Sequence, residues 1–212
     1  MTTFDERTTP APRPKRADAR RNEQTLLDAA AAVFVTSGVN APVRDIAARA
    51  GVGVGTIYRH FPTRSDLVVA VYRHQVEACA EAGPALLATN ATAHAALSQW
   101  VNLFVDFLVT KHGLAAALQA DNEGFNTLHA YFISRLVPAC AALLDAAAEA
   151  REIRPDVGAY EFMRAIGSLC AGEGPAAEAA DARGDDAVRG EQHYDARRMV
   201  ALLVAGLRHP LA

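Results

Sequence analysis

The sequence predicts an all-α protein in two unequal parts, a small N-terminal unit of three helices and a larger helical bundle behind it. Three observations carry that expectation. Alanine dominates a chain of 212 residues that is 51% hydrophobic, and alanine favours helix. Apolar residues recur at helical spacing along most of the chain, while the period-two alternation of a strand never persists. Chain length and apolar content together suffice for a substantial buried core.

Residues 1–18 carry Pro10, Pro12 and Pro14 and no periodic apolar face, so disorder is expected there. Arg13, Lys15, Arg16, Arg20 and Arg21 read equally well as a basic arm reaching into a groove or as a solvated charged tail. The first helix is expected from Arg20 to Thr36, with Leu27, Ala30, Ala31 and Phe34 on one face and Gly38 ending it.

The stretch RDIAARAGVGVGTIYRHF, Arg44 to Phe61, then reads as two short helices around a tight turn. Ile46, Ala47 and Ala50 give the first an apolar face, and Gly51 stands where the chain must reverse. Val52 plugs the space between the helices, and Ile57 with Phe61 supplies the apolar face of the second. Thr56, Tyr58, Arg59 and His60 are left facing outward, two hydroxyls, a guanidinium and an imidazole with no carboxylate among them. Such a face suits a polyanion. The pattern is a helix-turn-helix with Val54 to Phe61 as its recognition helix.

AGVGVGTIYRHFPTRSDL also closely resembles the signature of TetR-type bacterial transcriptional regulators, with Tyr58, His60, Phe61 and Arg64 in the signature places. The strong resemblance covers roughly residues 20 to 75. Beyond it, helix layout and the KHGL and IRPDV segments are similar to an actinobacterial-type subgroup. Pro42 and Gly53 open the two motif helices where the family often has Ser or Thr. The fold tolerates both, but hydroxyl contacts to phosphate from those positions are lost. The face and the resemblance together give Arg44, Val54, Gly55, Thr56, Tyr58, Arg59, His60 and Arg64 as candidate contacts to double-stranded DNA. The resemblance further implies a cytoplasmic homodimer on a palindromic operator, released by a small-molecule inducer.

Thr63-Arg64-Ser65-Asp66 predicts a capping box opening the next helix, with Arg64 placed so that guanidinium and amides converge on one phosphate. Gly83-Pro84 should stop that helix near Ala82. The division expected is thus 19–65 for DNA binding and 66–212 for a helical ligand-binding and dimerisation domain. Leu97, Trp100, Val101, Phe104 and Leu108 stripe the following helix, and a short helix should follow Gly113. Phe125, Leu128, Phe132, Ala139, Leu143 and Ala147 line a long helix that Pro138 should kink. Another helix should start near Asp156, striped by Ala159, Phe162, Met163, Ile166 and Cys170.

Residues 172–193 read as a long mobile loop. The last helix, Asp195 to Arg208, is apolar almost all round, so it needs burial on more than one side. Phe162, Met163 and Ile166 with Met199, Leu203 and Leu207 are the expected dimer seam. Trp100, Phe104, Phe107, Phe125, His129 and Phe132 are the expected ligand lining, helped by His112 and His129 on adjoining helices.

Charge divides along the chain. Residues 1–75 hold 11 Lys+Arg against 7 Asp+Glu, whereas residues 76–212 hold 10 against 17. The basic end is the end with the helix-turn-helix. Gly51, Gly53 and Gly55 do not make a dinucleotide loop, because Thr56 takes the third glycine's place and no strand precedes. Histidines and cysteines never fall at metal-ligand spacing, so no metal or cofactor is expected. Cys79, Cys140 and Cys170 are expected as free buried thiols. No apolar run is expected to cross a membrane, and no signal peptide opens the chain. Two function classes follow: a ligand-responsive regulator, and a DNA-binding front end on an enzymatic or protein-interaction domain. The first is favoured because no nucleophile-base set is visible.

Overall fold

The structure, a computed structural model, describes residues 13–118, 122–171 and 194–208, with side chains described in 20–108, 126–171 and 194–208. Helices α1 (Arg13–Ser37), α2 (Val43–Ala50) and α3 (Val54–His60) form the N-terminal unit. Behind it stand α4 (Arg64–Thr89), α5 (Ala93–Leu118), α6 (Asn122–Glu149), α7 (Ala159–Cys170) and α8 (Ala196–Gly206). No strand occurs among the described residues. The all-α expectation holds.

In the N-terminal unit, Leu26, Leu27, Ala30 and Phe34 of α1 close over Ile46 and Ala47 of α2 and Ile57 of α3. Gly38 (φ 74°) ends α1 as expected. Gly51 adopts a left-handed φ of 67° beyond α2, and the Val52 amide donates to Ala47 O at 3.0 Å. That pairing with the weaker Gly51-to-Ala48 bond is a Schellman turn, affordable here because Gly51 lacks a Cβ. α1 begins earlier than the sequence suggested. Residues 13–19 are helical despite Pro14, since a proline in a first turn costs no hydrogen bond the helix would otherwise make. Residues 1–12, the rest of the expected arm, lie outside the described residues, as does the loop expected at 172–193.

The capping box at α4 forms as the sequence required. Thr63 Oγ1 accepts from the Asp66 amide at 3.1 Å, and Asp66 accepts from the Thr63 amide at 2.9 Å. α4 does not stop at Gly83-Pro84 but runs to Thr89 with Pro84 inside it. The reason is packing. Gly83 is buried against α6, where a Cβ would lie 3.8 Å from Leu143 and 3.9 Å from Ala139 O, while Pro84 faces outward. Burial along α5 and α6 outweighs the hydrogen bond that Pro84 removes. α5 likewise passes through Gly113 to Leu118, and no separate short helix follows that glycine among the described residues. α6 continues through Pro138, and α7 starts at Ala159, three residues after the expected Asp156.

α4, α5 and α6 pack on one another to form the centre of the bundle, and α7 covers α5 and α6 from the side. Trp100 on α5 is fully buried and donates its Nε1–H to Cys79 O of α4 at 2.8 Å. All three cysteines are buried thiols outside any disulfide, and burial pushes the Cys79 and Cys140 thiols up to about 12. Within α6, Asn126–Glu149 is long and apolar enough by composition to cross a membrane, which corrects the expectation that no such stretch exists. Its Leu128, Phe132, Leu136, Leu143 and Ala147 are instead turned into the core. Alanines raise its average while Arg135 and Asp145 interrupt it.

Candidate functional site

α3 is held from below and bare on top. Ile57 is buried and Phe61, just beyond the helix, is buried with it. That anchoring turns Val54, Gly55, Tyr58, Arg59 and His60 outward, with Thr56 half-buried beside them. Tyr58 is 49% exposed, a large ring with nothing over it. Arg44 opens α2 with its side chain 81% exposed and 3.5 Å from Asp45, a surface pair that restrains it little. Seven of the eight candidate DNA contacts thus reach solvent at least in part, six of them on α3 and Arg44 on α2.

Arg64 is the eighth, and its position corrects the sequence reading. Its guanidinium turns inward: Nε donates to Val39 O at 2.9 Å, and Nη2 donates to Ala41 O at 2.6 Å and also to Val39 O. The group lies 5.9 Å from the centroid of the Phe34 ring. Arg64 therefore staples the start of α4 to the turn between α1 and α2, and its phosphate role is not supported. Loss of those charge-assisted bonds in Arg64→Ala should destabilise the fold by about 1.5–3 kcal/mol, read as a lowered unfolding midpoint. An unchanged midpoint with DNA binding lost would restore the phosphate role.

A second site lies in the bundle. A cavity of about 400 Å³ opens between α5, α6 and α7. Phe104 and Leu108 contribute from α5, and His129, Phe132 and Ile133 from α6. The ring of Phe132 stacks at 6.0 Å from Phe104 and 5.8 Å from His129. Of the six residues expected to line a pocket, Phe104, His129 and Phe132 do so. Trp100 and Phe107 do not, and this is a correction. Trp100 stacks behind Phe104 at 5.5 Å, and Phe107 packs on Tyr72 at 5.2 Å, both as core. Phe125 and His112 lie outside the residues whose side chains are described.

The third wall escaped the sequence reading altogether. α7 presents Tyr160, Arg164, Gly167, Ser168 and Ala171 to the cavity, with Met163 beside them. Their spacing of i, i+4, i+7, i+8 and i+11 is a single helical stripe. The apolar stripe of the same helix, expected as part of the dimer seam, packs mostly into the chain's own core. Phe162, Met163, Ile166 and, beyond α8, Leu207 are buried within the single chain, although Phe162 and Leu207 also edge a surface groove together with Leu203. Met199 and Leu203 are half-buried. The apolar residue that α8 does expose is Leu202, at 59%.

A polar clamp joins α4 to α6. On the face of α6 away from the cavity, Arg135 Nε donates to Glu77 Oε1 of α4 at 2.8 Å, Arg135 Nη2 donates to Oε2, and the Tyr131 hydroxyl donates to Oε1. Arg73 sits 5.3 Å over the Tyr131 ring. The Arg135 hydrogen bonds, then that of Tyr131, hold Glu77 below the usual carboxylate range. A depressed carboxylate is ionised above that range and loses its stabilising contribution only as pH falls through its lowered value. At neutral pH the clamp is closed. Nearer the N-terminal unit, His74 Nε2 of α4 meets Asp28 Oδ1 of α1 at 2.7 Å.

The comparisons with known proteins agree with this geometry. Residues 26–71 match the family described as bacterial regulatory proteins, tetR family, and residues 92–209 match the SbtR-like transcriptional regulator C-terminal domain. The TetR transcriptional regulator SCO0520 from Streptomyces coelicolor is 33% identical, over 88% of this chain and 98% of that one, with a TM-score of 0.68. The chain belongs to the TetR family. The TetR transcription regulatory protein from Mycobacterium vanbaalenii is similar at 30% identity, covering 92% of this chain and 100% of that one at a TM-score of 0.65. The TetR-like regulator LfrR from Mycobacterium smegmatis, solved in complex with proflavine, is 25% identical over 89% of this chain and 96% of that one, with a TM-score of 0.54. Among curated relatives, the HTH-type transcriptional regulator SA2364 of Staphylococcus aureus (strain N315) is 38% identical over 63 residues, 29% of this chain. That match spans about a third (34%) of the relative's length. As a TetR-family member, the chain is a helix-turn-helix transcriptional regulator.

Proposed function

We propose that this TetR-family regulator is a cytoplasmic homodimeric repressor that a small, largely apolar ligand releases from a palindromic operator. The observation that carries the reading is α3, anchored by Ile57 and open along Tyr58, Arg59 and His60, joined through α4 to a cavity-bearing bundle. Residues 19–65 read DNA in this scheme, and residues 66–212 bind ligand and dimerise. The cavity falls in the size range of small-molecule sites, and LfrR shows a relative holding a small molecule.

Induction then has a mechanical route. A ligand wedged between α5, α6 and α7 displaces α6. Tyr131 and Arg135 pass the displacement to Glu77, and α4 carries it to the turn that Arg64 staples. By linkage, a ligand that weakens DNA binding must bind the DNA-bound dimer less tightly by the same factor, typically about 1–3 kcal/mol. The dimer seam in this scheme is the outer face of α7 and α8 around Ala165, Leu202 and Leu203, with Phe162 and Leu207 of the expected seam edging the same surface groove.

Selection from random-core duplexes tests the DNA half of the proposal. The expected winner is a palindrome whose half-sites lie roughly 34–36 Å apart, or a multiple of that spacing; recovery of no preferred sequence would overturn it. Gly167→Leu tests the ligand half. A Cβ at Gly167 meets nothing within 4 Å, so the new side chain starts into open space on the cavity wall, and replacing a helical glycine gains about 0.5–1 kcal/mol. Anilinonaphthalene sulfonate, a fluorescent apolar probe, should brighten on wild type and not on the variant, at equal or higher unfolding midpoint. Equal brightening on both would place the ligand elsewhere.

A further inference from the structure

The α5–α6–α7 cavity is apolar at its base and electrically one-sided at its wall. Phe104, Leu108, Phe132 and Met163 are buried there. Among the eleven described residues that line it, Arg164 alone carries a formal charge, and none of them is a carboxylate. Arg164 makes no ion pair or hydrogen bond among the described residues, although Glu161 lies one turn before it on the same helix. Two other guanidiniums of the bundle are engaged, Arg135 on Glu77 and Arg197 on Asp106. Residues 76–212 hold 17 acids against 10 bases, so an uncommitted cation is not what local composition would supply by default. Tyr160 and Ser168 stand one turn to either side of Arg164 on the cavity stripe, adding two hydroxyl donors to the guanidinium fork.

We infer that this cavity recognises amphiphilic carboxylates, an apolar body lying against Phe104 and Phe132 and a carboxylate head on Arg164. The inference rests on the cavity being the ligand site. A guanidinium engages a carboxylate with two parallel bonds, and beside apolar walls that pairing is strengthened. A neutral ligand of the same shape leaves the fork to water. A cationic ligand meets like charge on Arg164.

Full-length dimer titrated with naphthoate and decanoate, and with naphthamide and decanamide as neutral isosteres, separates the possibilities. The reporter is Trp100, the only tryptophan, stacked on the cavity residue Phe104. Ionised acids should bind at least roughly tenfold tighter than their amides. Arg164→Met should erase that preference by weakening the acids alone, and Arg164→Lys should restore part of it, with unfolding midpoints unchanged because the side chain is exposed. Amides that bind as tightly as acids, or acids unaffected by Arg164→Met, would overturn the inference while leaving the cavity as the ligand site. Binding of neither class would overturn the cavity reading as well.

Discussion

Tyr58→Ala should weaken operator binding by about 1.5–3 kcal/mol per half-site, the range for a hydrogen bond to a charged phosphate. Two half-sites in one dimer compound that loss, so the variant should fall roughly a hundredfold or more in affinity. Folding should not change by more than about 0.5 kcal/mol, because Tyr58 is exposed and its removal leaves no cavity. His60, beside it at the end of α3, shares the open face. Gel-shift titration at one fixed salt concentration, alongside an unfolding curve, measures both quantities. Wild-type affinity in a folded Tyr58→Ala protein would remove α3 from the interface.

Leu202→Arg should give monomers. Leu202 is the large apolar side chain that α8 leaves in solvent, and α8 already buries Val200 and Val204 against its own chain. An arginine at a two-fold seam meets its own copy, and burying unpaired charge costs several kcal/mol. Taking about 3 kcal/mol as a lower figure, the dimer should weaken roughly a hundredfold or more, and operator binding should fall with it. Light scattering at micromolar protein measures the mass directly. Fold should survive, since the side chain is not part of the core. A variant that stays dimeric would place the seam away from α8, and a monomeric wild type would remove it entirely.

How much of this was legible beforehand varies with the kind of signal. The helix-turn-helix could be read because each residue type has a local physical reason. Gly51 alone can take the left-handed turn, Ile57 and Phe61 share one face, and Thr63 with Asp66 closes a capping box within four residues. Helix ends in the bundle could not be read, because Gly83 and Pro84 are local stop signals that long-range packing overrides. Arg64 illustrates the same limit at a site. Its spacing fitted a phosphate, yet the carbonyls of Val39 and Ala41 lie 25 and 23 residues away in sequence. Aromatic side chains in α5 could not be sorted into core and lining by type alone, which is why Trp100 and Phe107 were assigned with Phe104. The α7 wall had a signal that went unused, since Tyr160, Arg164, Gly167 and Ser168 repeat at helical spacing opposite the apolar stripe.

The claim on which the account depends most is that α3 of each protomer enters the major groove of a two-fold symmetric site. Methylation interference on the selected duplex tests it directly, because guanine N7 faces the major groove and adenine N3 the minor. The account predicts that N7 methylation blocks binding in two clusters, one per half-site, centred roughly 34–36 Å apart or a multiple of that distance. Interference in a single cluster, or at adenine N3 alone, would contradict it.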